Sequence, residues 1–100
     1  MDAKRALFKS TEEALSSLGK PAMEAITWQM NEKGIDMTAP ENFDINRFAT
    51  VLGELLGEGS ETVLNMIYMS MCRYLEIDMQ VDPDLPALER INKVLETKKM

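Results

Sequence analysis

Residues 63–75 read VLNMIYMSMCRYL and contain ten apolar residues out of thirteen, interrupted by Asn65, Ser70 and Arg73. The apolar positions do not alternate as a half-buried strand requires, and the run is long enough for a helix. A helix that is apolar nearly all round lies at the centre of a bundle or is covered by a partner. We therefore predict a central helix, the fourth in the chain, over about residues 61–75.

Four other segments combine a helical spacing of apolar residues with starting or stopping signals, and they cover about residues 3–17, 21–33, 45–56 and 85–100. Gly19 and Gly34 bracket the second of these, and Pro21 suits its first turn. No segment competes as a strand. The predicted fold is therefore an all-α, compact bundle of about five helices.

The third helix carries two starting signals and one anomaly. Asp44 stands where an N-cap is expected, and Phe43 and Phe48 have the spacing of a hydrophobic staple. Gly53 interrupts the apolar stripe, at a cost of about 1 kcal/mol relative to alanine. A close helix–helix contact would account for a residue without a side chain, so we predict such a contact at Gly53.

The connection before the fourth helix consists of Gly57, Glu58, Gly59 and Ser60. Glycines ahead of a helix N-terminus can bind phosphate, but the lysine of a P-loop is missing and Glu58 lies inside the turn. We interpret the segment as a structural turn. Ser60 is the expected N-cap of the fourth helix, and Glu61 is placed to stabilise its positive end.

The chain has 100 residues, of which 45% are hydrophobic and 28% charged. These values predict one helical domain over residues 1–100. No run approaches the roughly 18 apolar residues of a membrane span, and the first residues, MDAKRALFKSTEE, include acids where a signal peptide is apolar. We expect a cytoplasmic protein without membrane contact.

The formal net charge of −6 is unevenly distributed along the chain. Residues 1–33 are neutral overall, residues 34–84 carry ten carboxylates against two arginines, and residues 85–100 are slightly basic. An acidic middle segment repels a phosphate backbone, so a nucleic-acid partner is not expected. The carboxylates are interpreted as a solvated face, with an acidic surface for a basic partner as the alternative.

The residue types needed for common catalytic chemistry are scarce. The chain has no histidine and one cysteine, Cys72, which we interpret as an inert buried thiol rather than a redox group. We therefore expect no enzyme, no catalytic residue, no cofactor and no metal. Four acids could surround a hard cation, but their spacing does not match an EF-hand: Asp78, Asp82, Asp84 and Glu89.

Methionine is frequent, with nine residues in the chain. Its flexible side chain fills cores and also forms adaptable binding surfaces. The fifth helix, at about residues 85–100, is amphipathic and has two expected positions, on its own bundle or on a second subunit. The candidate interface residues are Trp28, Met66, Met69, Met71, Leu88, Ile91 and Leu95.

Three segments resemble the NitrOD class of small helical output domains from archaea. They are ALSSLG at 14–19, AITWQM and the following polar run to GI at 25–35, and FATVLGELLGEGSETVLNMI at 48–67. The likeness covers about residues 12–78. Lys20 and Pro21 depart from the pattern, the loop at 36–43 diverges, and residues 79–100 have no counterpart.

The resemblance implies an all-helical regulatory or signalling output domain that is not an enzyme and acts through protein contacts. It supplies no catalytic or ligand residues. Together with the apolar fourth helix, it predicts a domain that binds a protein partner and self-associates as a homodimer. The alternative is a small DNA-binding transcription regulator, in which the turn at 57–60 joins the two helices of a helix-turn-helix unit.

Overall fold

The computed structural model describes residues 2–78 and 84–97. This part of the chain contains five α-helices, one short 3-10 helix at Pro40–Asn42 and no strand. The predicted all-α fold is therefore confirmed. The helices are α1 (Ala3–Ser17), α2 (Lys20–Glu32), α3 (Ile45–Leu56), α4 (Gly59–Leu75) and α5 (Ala87–Thr97).

Helix α4 is the centre of the bundle, as predicted. It packs against α1, α3 and α5, whereas α2 packs only against α1 and α3 among the described helices. One side of α4 enters the core through Val63, Leu64, Ile67, Tyr68, Met71 and Cys72. The opposite side remains accessible, so the surrounding helices do not enclose α4 completely.

The predicted signals around α2 are present. Gly19 has φ +96°, which an L side chain rarely adopts, and it ends the turn between α1 and α2. Pro21 lies in the first turn of α2, where its missing N–H has no consequence. Ile26 and Met30 are buried and attach this peripheral helix to the bundle.

Helix α3 begins as its sequence predicts. The Asp44 carboxylate accepts hydrogen bonds from the backbone N–H groups of Asn46 and Arg47, at 2.9 and 3.4 Å. The Phe43 and Phe48 rings lie 5.3 Å apart between centroids, which confirms the hydrophobic staple. The staple fixes the entry of the chain into α3 and places Phe48 in the core.

The predicted close contact at Gly53 is wrong. A Cβ added at this position would meet only the Ser60 hydroxyl, at 3.9 Å, which is an ordinary van der Waals distance. Gly53 lies in regular helix and has no positive φ. Packing against a neighbouring helix therefore does not require a glycine here.

The predicted N-cap of α4 is also wrong by two residues. The helix starts at Gly59, its N-cap is Glu58, and the Glu58 side chain makes no capping hydrogen bond. The Ser60 hydroxyl lies inside the first turn and donates to the carbonyl of Gly57 at 2.8 Å. Gly57 has φ +58°, which lets the chain reverse between α3 and α4 and confirms the turn.

Helix α5 packs on its own bundle, against α1, α3 and α4. Ala87, Ile91 and Val94 form its buried side. The described helix ends at Thr97, so residues 98–100 of the predicted element lie outside the described residues. Among the helices of the described ranges, none is long and apolar enough to cross a membrane.

Candidate protein-interaction surface

The side of α4 that faces away from the core carries a shallow groove of about 410 Å³. We call it the methionine groove, and it is lined by Met66, Met69, Ser70, Cys72, Arg73 and Ile77. Met69 is 50% exposed, which is unusual for a large apolar side chain in a central helix. Apolar surface and one cation therefore meet on the outer side of α4.

Helical geometry explains why these residues share a surface. Met66, Met69, Ser70 and Arg73 are spaced by three and four residues, so they lie on the same side of the helix. The buried residues of α4 occupy the other side. Ile77 follows the left-handed Glu76 and extends the groove beyond the end of the helix.

Arg73 is held in place by its neighbours. Its guanidinium donates to the Ser70 hydroxyl at 3.1 Å and forms an ion pair with Glu13 of α1 at 3.5 Å. The Tyr74 hydroxyl donates to the same Glu13 carboxylate. The hydrogen bond to Glu13, followed by burial and the negative charge of Glu13, raises the pKa of Tyr74 above its ordinary value. These contacts join α1 to α4 at one edge of the groove.

Cys72 forms part of the groove wall but is itself buried. Burial raises the pKa of its thiol, while a hydrogen bond from Tyr68 and the charge of Arg90 act in the opposite direction. A buried thiol with a raised pKa has little thiolate at neutral pH. The placement agrees with the interpretation of an inert thiol.

Acidic residues lie at both ends of α4. Glu58 is the N-cap of α4, and Glu61 lies in its first turn. Glu76 and Asp78 lie on either side of Ile77, at the C-terminal end of the helix. All four are exposed. Among the described residues that line the groove, Arg73 is the charged one, and Arg90 of α5 lies close by, where it donates to Asn65 of α4.

The remaining interface candidates do not join the methionine groove. Met71 and Ile91 are fully buried and present no surface, which corrects their place among the candidates. Leu88 and Leu95 are partly buried and pack against the core. Trp28 is 59% exposed on α2, which does not contact α4. The structure therefore separates Trp28 from the pair Met66 and Met69.

Sequence analysis did not identify Ser70, Arg73 or Ile77 as lining residues. The first two have helical spacing from Met66 and Met69, a signal that was available in the sequence. The position of Ile77 depends on the left-handed turn at Glu76, which nothing in the sequence marks, since Glu rarely adopts that conformation.

A second, wider groove of about 820 Å³ lies between the start of α1, residues 41–46 and α5. It includes Asp2 and Asp44, whose carboxylates cap α1 and α3. Lys4, Glu41 and Glu96 add mixed charge to its rim. Two of its four carboxylates, those of Asp2 and Asp44, are therefore engaged as helix caps, and Lys4 is the basic residue among its described lining residues.

Neither the turn at 57–60 nor the three described acids Asp78, Asp84 and Glu89 belong to a group of potential metal ligands. Glu58 is exposed next to the helix N-terminus, where its charge opposes phosphate binding. Within residues 2–78 and 84–97, no group of three or more potential metal ligands comes together. Asp82, the fourth acid that was considered for a cation, lies outside the described residues.

Comparisons of this chain with known protein families, curated proteins and solved structures give no match.

Proposed function

We propose that this protein is a regulatory or signalling output domain that is not an enzyme and acts through protein–protein contacts, including self-association. One observation supports the proposal: Trp28 and Met69 are each at least half exposed, on helices that do not contact each other. Tryptophan and methionine are enriched at protein–protein interfaces relative to the rest of the surface. The resemblance to the NitrOD-type output domains agrees with this function and stays a prediction.

Self-association is assigned to the surface around Trp28. Tryptophan is enriched among the residues that contribute most to binding energy. Residues 1–33, which include α1 and α2, carry equal numbers of acidic and basic groups. Two copies can therefore approach through α2 without the repulsion that the acidic middle of the chain would cause.

The test is the molar mass of the full-length chain by size exclusion with light scattering, over a wide concentration range. The unmodified protein should shift from monomer towards dimer as concentration rises. Trp28→Ala should remain monomeric, while the matched control Met69→Ala should behave as the unmodified protein. A monomer at every concentration would remove self-association from the proposal.

DNA binding, the alternative function, has weaker support. Its recognition helix would be α4, whose one basic residue, Arg73, is paired with Glu13. The carboxylates at both ends of α4 would repel phosphates. A mobility-shift assay with duplex DNA at low salt tests the alternative, and binding there would favour it over the protein-contact proposal.

A further inference from the structure

We propose that Met69 is a site of reversible oxidation by hydrogen peroxide, which converts the methionine groove from an apolar to a more polar surface while the fold persists. The proposal concerns a covalent modification of α4 and goes beyond the protein-contact function. It does not depend on that function, so each can fail without the other.

Burial separates Met69 from the other described methionines. Five of the six described methionines belong to the core or pack against it: Met23, Met30, Met37, Met66 and Met71. The sixth, Met69, is 50% exposed. Oxidation of a methionine requires contact between peroxide and its sulfur atom, and no deprotonation has to come first. Access therefore determines which of these residues reacts in the folded protein.

The reaction transfers one oxygen atom to the thioether. The sulfur attacks one oxygen of hydrogen peroxide, the S–O bond forms as the O–O bond breaks, and a proton passes from the attacked oxygen to the departing one. The products are methionine sulfoxide and one water molecule, so sulfur loses two electrons and peroxide gains two. Methionine sulfoxide reductases reverse the change with two electrons from a dithiol, which becomes a disulfide as water is released.

The surroundings of Met69 can accommodate the product. Ser70 and Arg73 line the same groove, and Arg73 lies one helical turn beyond Met69. The Arg73 side chain is 72% exposed, so both the guanidinium and water are available to donate to a sulfoxide oxygen. At Met30 or Met71, the same oxygen would be buried in the core at a cost in stability. Oxidation at Met69 is therefore compatible with the fold.

Oxidation at this position changes the character of the groove. Met66, Met69 and Ile77 supply apolar surface to it, and Met69 is the most exposed of the three. The sulfoxide replaces a flexible apolar group by a polar one. The largest change in exposed apolar surface is therefore expected at Met69.

The first experiment measures the oxidation rate of each methionine in the full-length chain by peptide mapping with mass spectrometry. Hydrogen peroxide is added in buffer and in urea, and the ratio of the two rates is the protection by the fold. We expect protection of about 3-fold or less at Met69, and of about 10-fold or more at Met30 and Met71, which react when the fold opens. Met66, in the same groove but packed against the core, should lie between them.

The second experiment measures the exposed apolar surface by hydrophobic-interaction chromatography of the folded chain. After peroxide treatment, the unmodified protein should elute earlier, and a methionine sulfoxide reductase with dithiothreitol should restore its retention. Met69→Leu is the matched control, since it stays apolar and cannot form a sulfoxide. It keeps Met1, Met79 and Met100, which lie outside the described residues, and its smaller shift measures the contribution of the other methionines.

A polar substitution separates the effect of Met69 from that of peroxide. Untreated Met69→Gln should elute earlier than the untreated unmodified protein, because its amide reproduces the polarity of the sulfoxide. Circular dichroism of the oxidised protein and of both variants should show unchanged helical content.

Four results would overturn the proposal. Equal protection of Met69 and Met30 would place the Met69 sulfur out of reach of peroxide. An equal retention shift in Met69→Leu would assign the change in surface to other methionines. Loss of helical content on oxidation of Met69 would make the modification a lesion that unfolds the protein. Retention that the reductase does not restore would contradict reversibility.

Discussion

The side-chain carboxylate of Glu61 accepts a hydrogen bond from the backbone N–H of Ala87, at 2.7 Å. Glu61 lies in the first turn of α4, and Ala87 is the first residue of α5. The first N–H groups of a helix have no partner within that helix, so Glu61 supplies one for α5. The same negative charge lies near the positive ends of two helices. This hydrogen bond adds to the apolar contacts of Ile91 and Val94 that pack α5 on the bundle.

Replacing Glu61 should therefore destabilise the fold. Glu61→Ala leaves the N–H of the buried Ala87 without its partner, and we expect the free energy of unfolding to fall by about 1–2 kcal/mol. Glu61→Gln keeps an acceptor and should lose less. Urea unfolding monitored by circular dichroism measures both variants. The neighbouring, exposed Thr62→Ala is the control, and an equal loss in that variant would contradict the role of Glu61.

The start of α3 could be predicted from the sequence, whereas the role of Glu61 could not. The reason is the separation along the chain between the residues that interact. Asp44, Phe43 and Phe48 act within one helical turn, so their spacing alone specifies the cap and the staple. Glu61 and Ala87 are 26 residues apart. The sequence indicated that Glu61 lies near the N-terminus of α4. Only the packing of α5 on α4 shows that Glu61 also accepts a hydrogen bond at the N-terminus of α5.

The candidate surface was partly predictable for the same reason. Helical spacing brings Met66 and Met69 together, and the apolar excess of α4 indicated that one side could remain accessible. The sequence did not separate these residues from Met71, because burial depends on where α1, α3 and α5 pack around the helix. It likewise gave no reason to exclude Ile91, which lies on the buried side of α5.

The geometry at Gly53 predicts a stabilising substitution. Gly53→Ala adds a methyl group at an ordinary van der Waals distance from Ser60 and removes the conformational freedom of glycine in the unfolded chain. We expect the free energy of unfolding to rise by about 0.5–1 kcal/mol. Gly57→Ala is the counterpart, since Gly57 has φ +58° and ψ −128°, and it should lower stability by about 1–3 kcal/mol. Chemical unfolding of both variants provides the measurement. A lower free energy of unfolding in Gly53→Ala would show that the fold requires a glycine at this position.

The Tyr74–Glu13 hydrogen bond predicts a dependence of stability on alkaline pH. Because the folded state raises the pKa of Tyr74, it favours the protonated phenol. The stability from this group is therefore fully present below the ordinary pKa of about 10, and it is lost as pH rises through the folded-state pKa. The difference in unfolding free energy between the unmodified protein and Tyr74→Phe should be constant from neutral pH to about pH 10 and decrease above it.

Glu13→Gln tests the cause of that shift. This variant removes the carboxylate that accepts from Tyr74 and raises its pKa. In absorbance titrations, the curve of Tyr74→Phe, which retains Tyr68, is subtracted from the curve of the chain that contains Tyr74. The difference is the signal of the Tyr74 phenolate. The pKa of Tyr74 should be lower in Glu13→Gln than in the unmodified chain. An unchanged Tyr74 titration would assign the shift to burial instead.

The buried thiol of Cys72 predicts slow modification of the folded protein. Burial raises its pKa, and the thiolate is the reactive form, so both access and ionisation oppose reaction with an aromatic disulfide reagent. At mildly alkaline pH, we expect the folded chain to react on the order of 100-fold more slowly than the chain in urea. Gly53→Ala, which should stabilise the fold without contact with Cys72, serves as a control. If modification proceeds only through global unfolding, this variant will slow it further, whereas a local opening at the methionine groove will leave the rate unchanged. Equal rates in folded and unfolded chains would contradict the burial of Cys72.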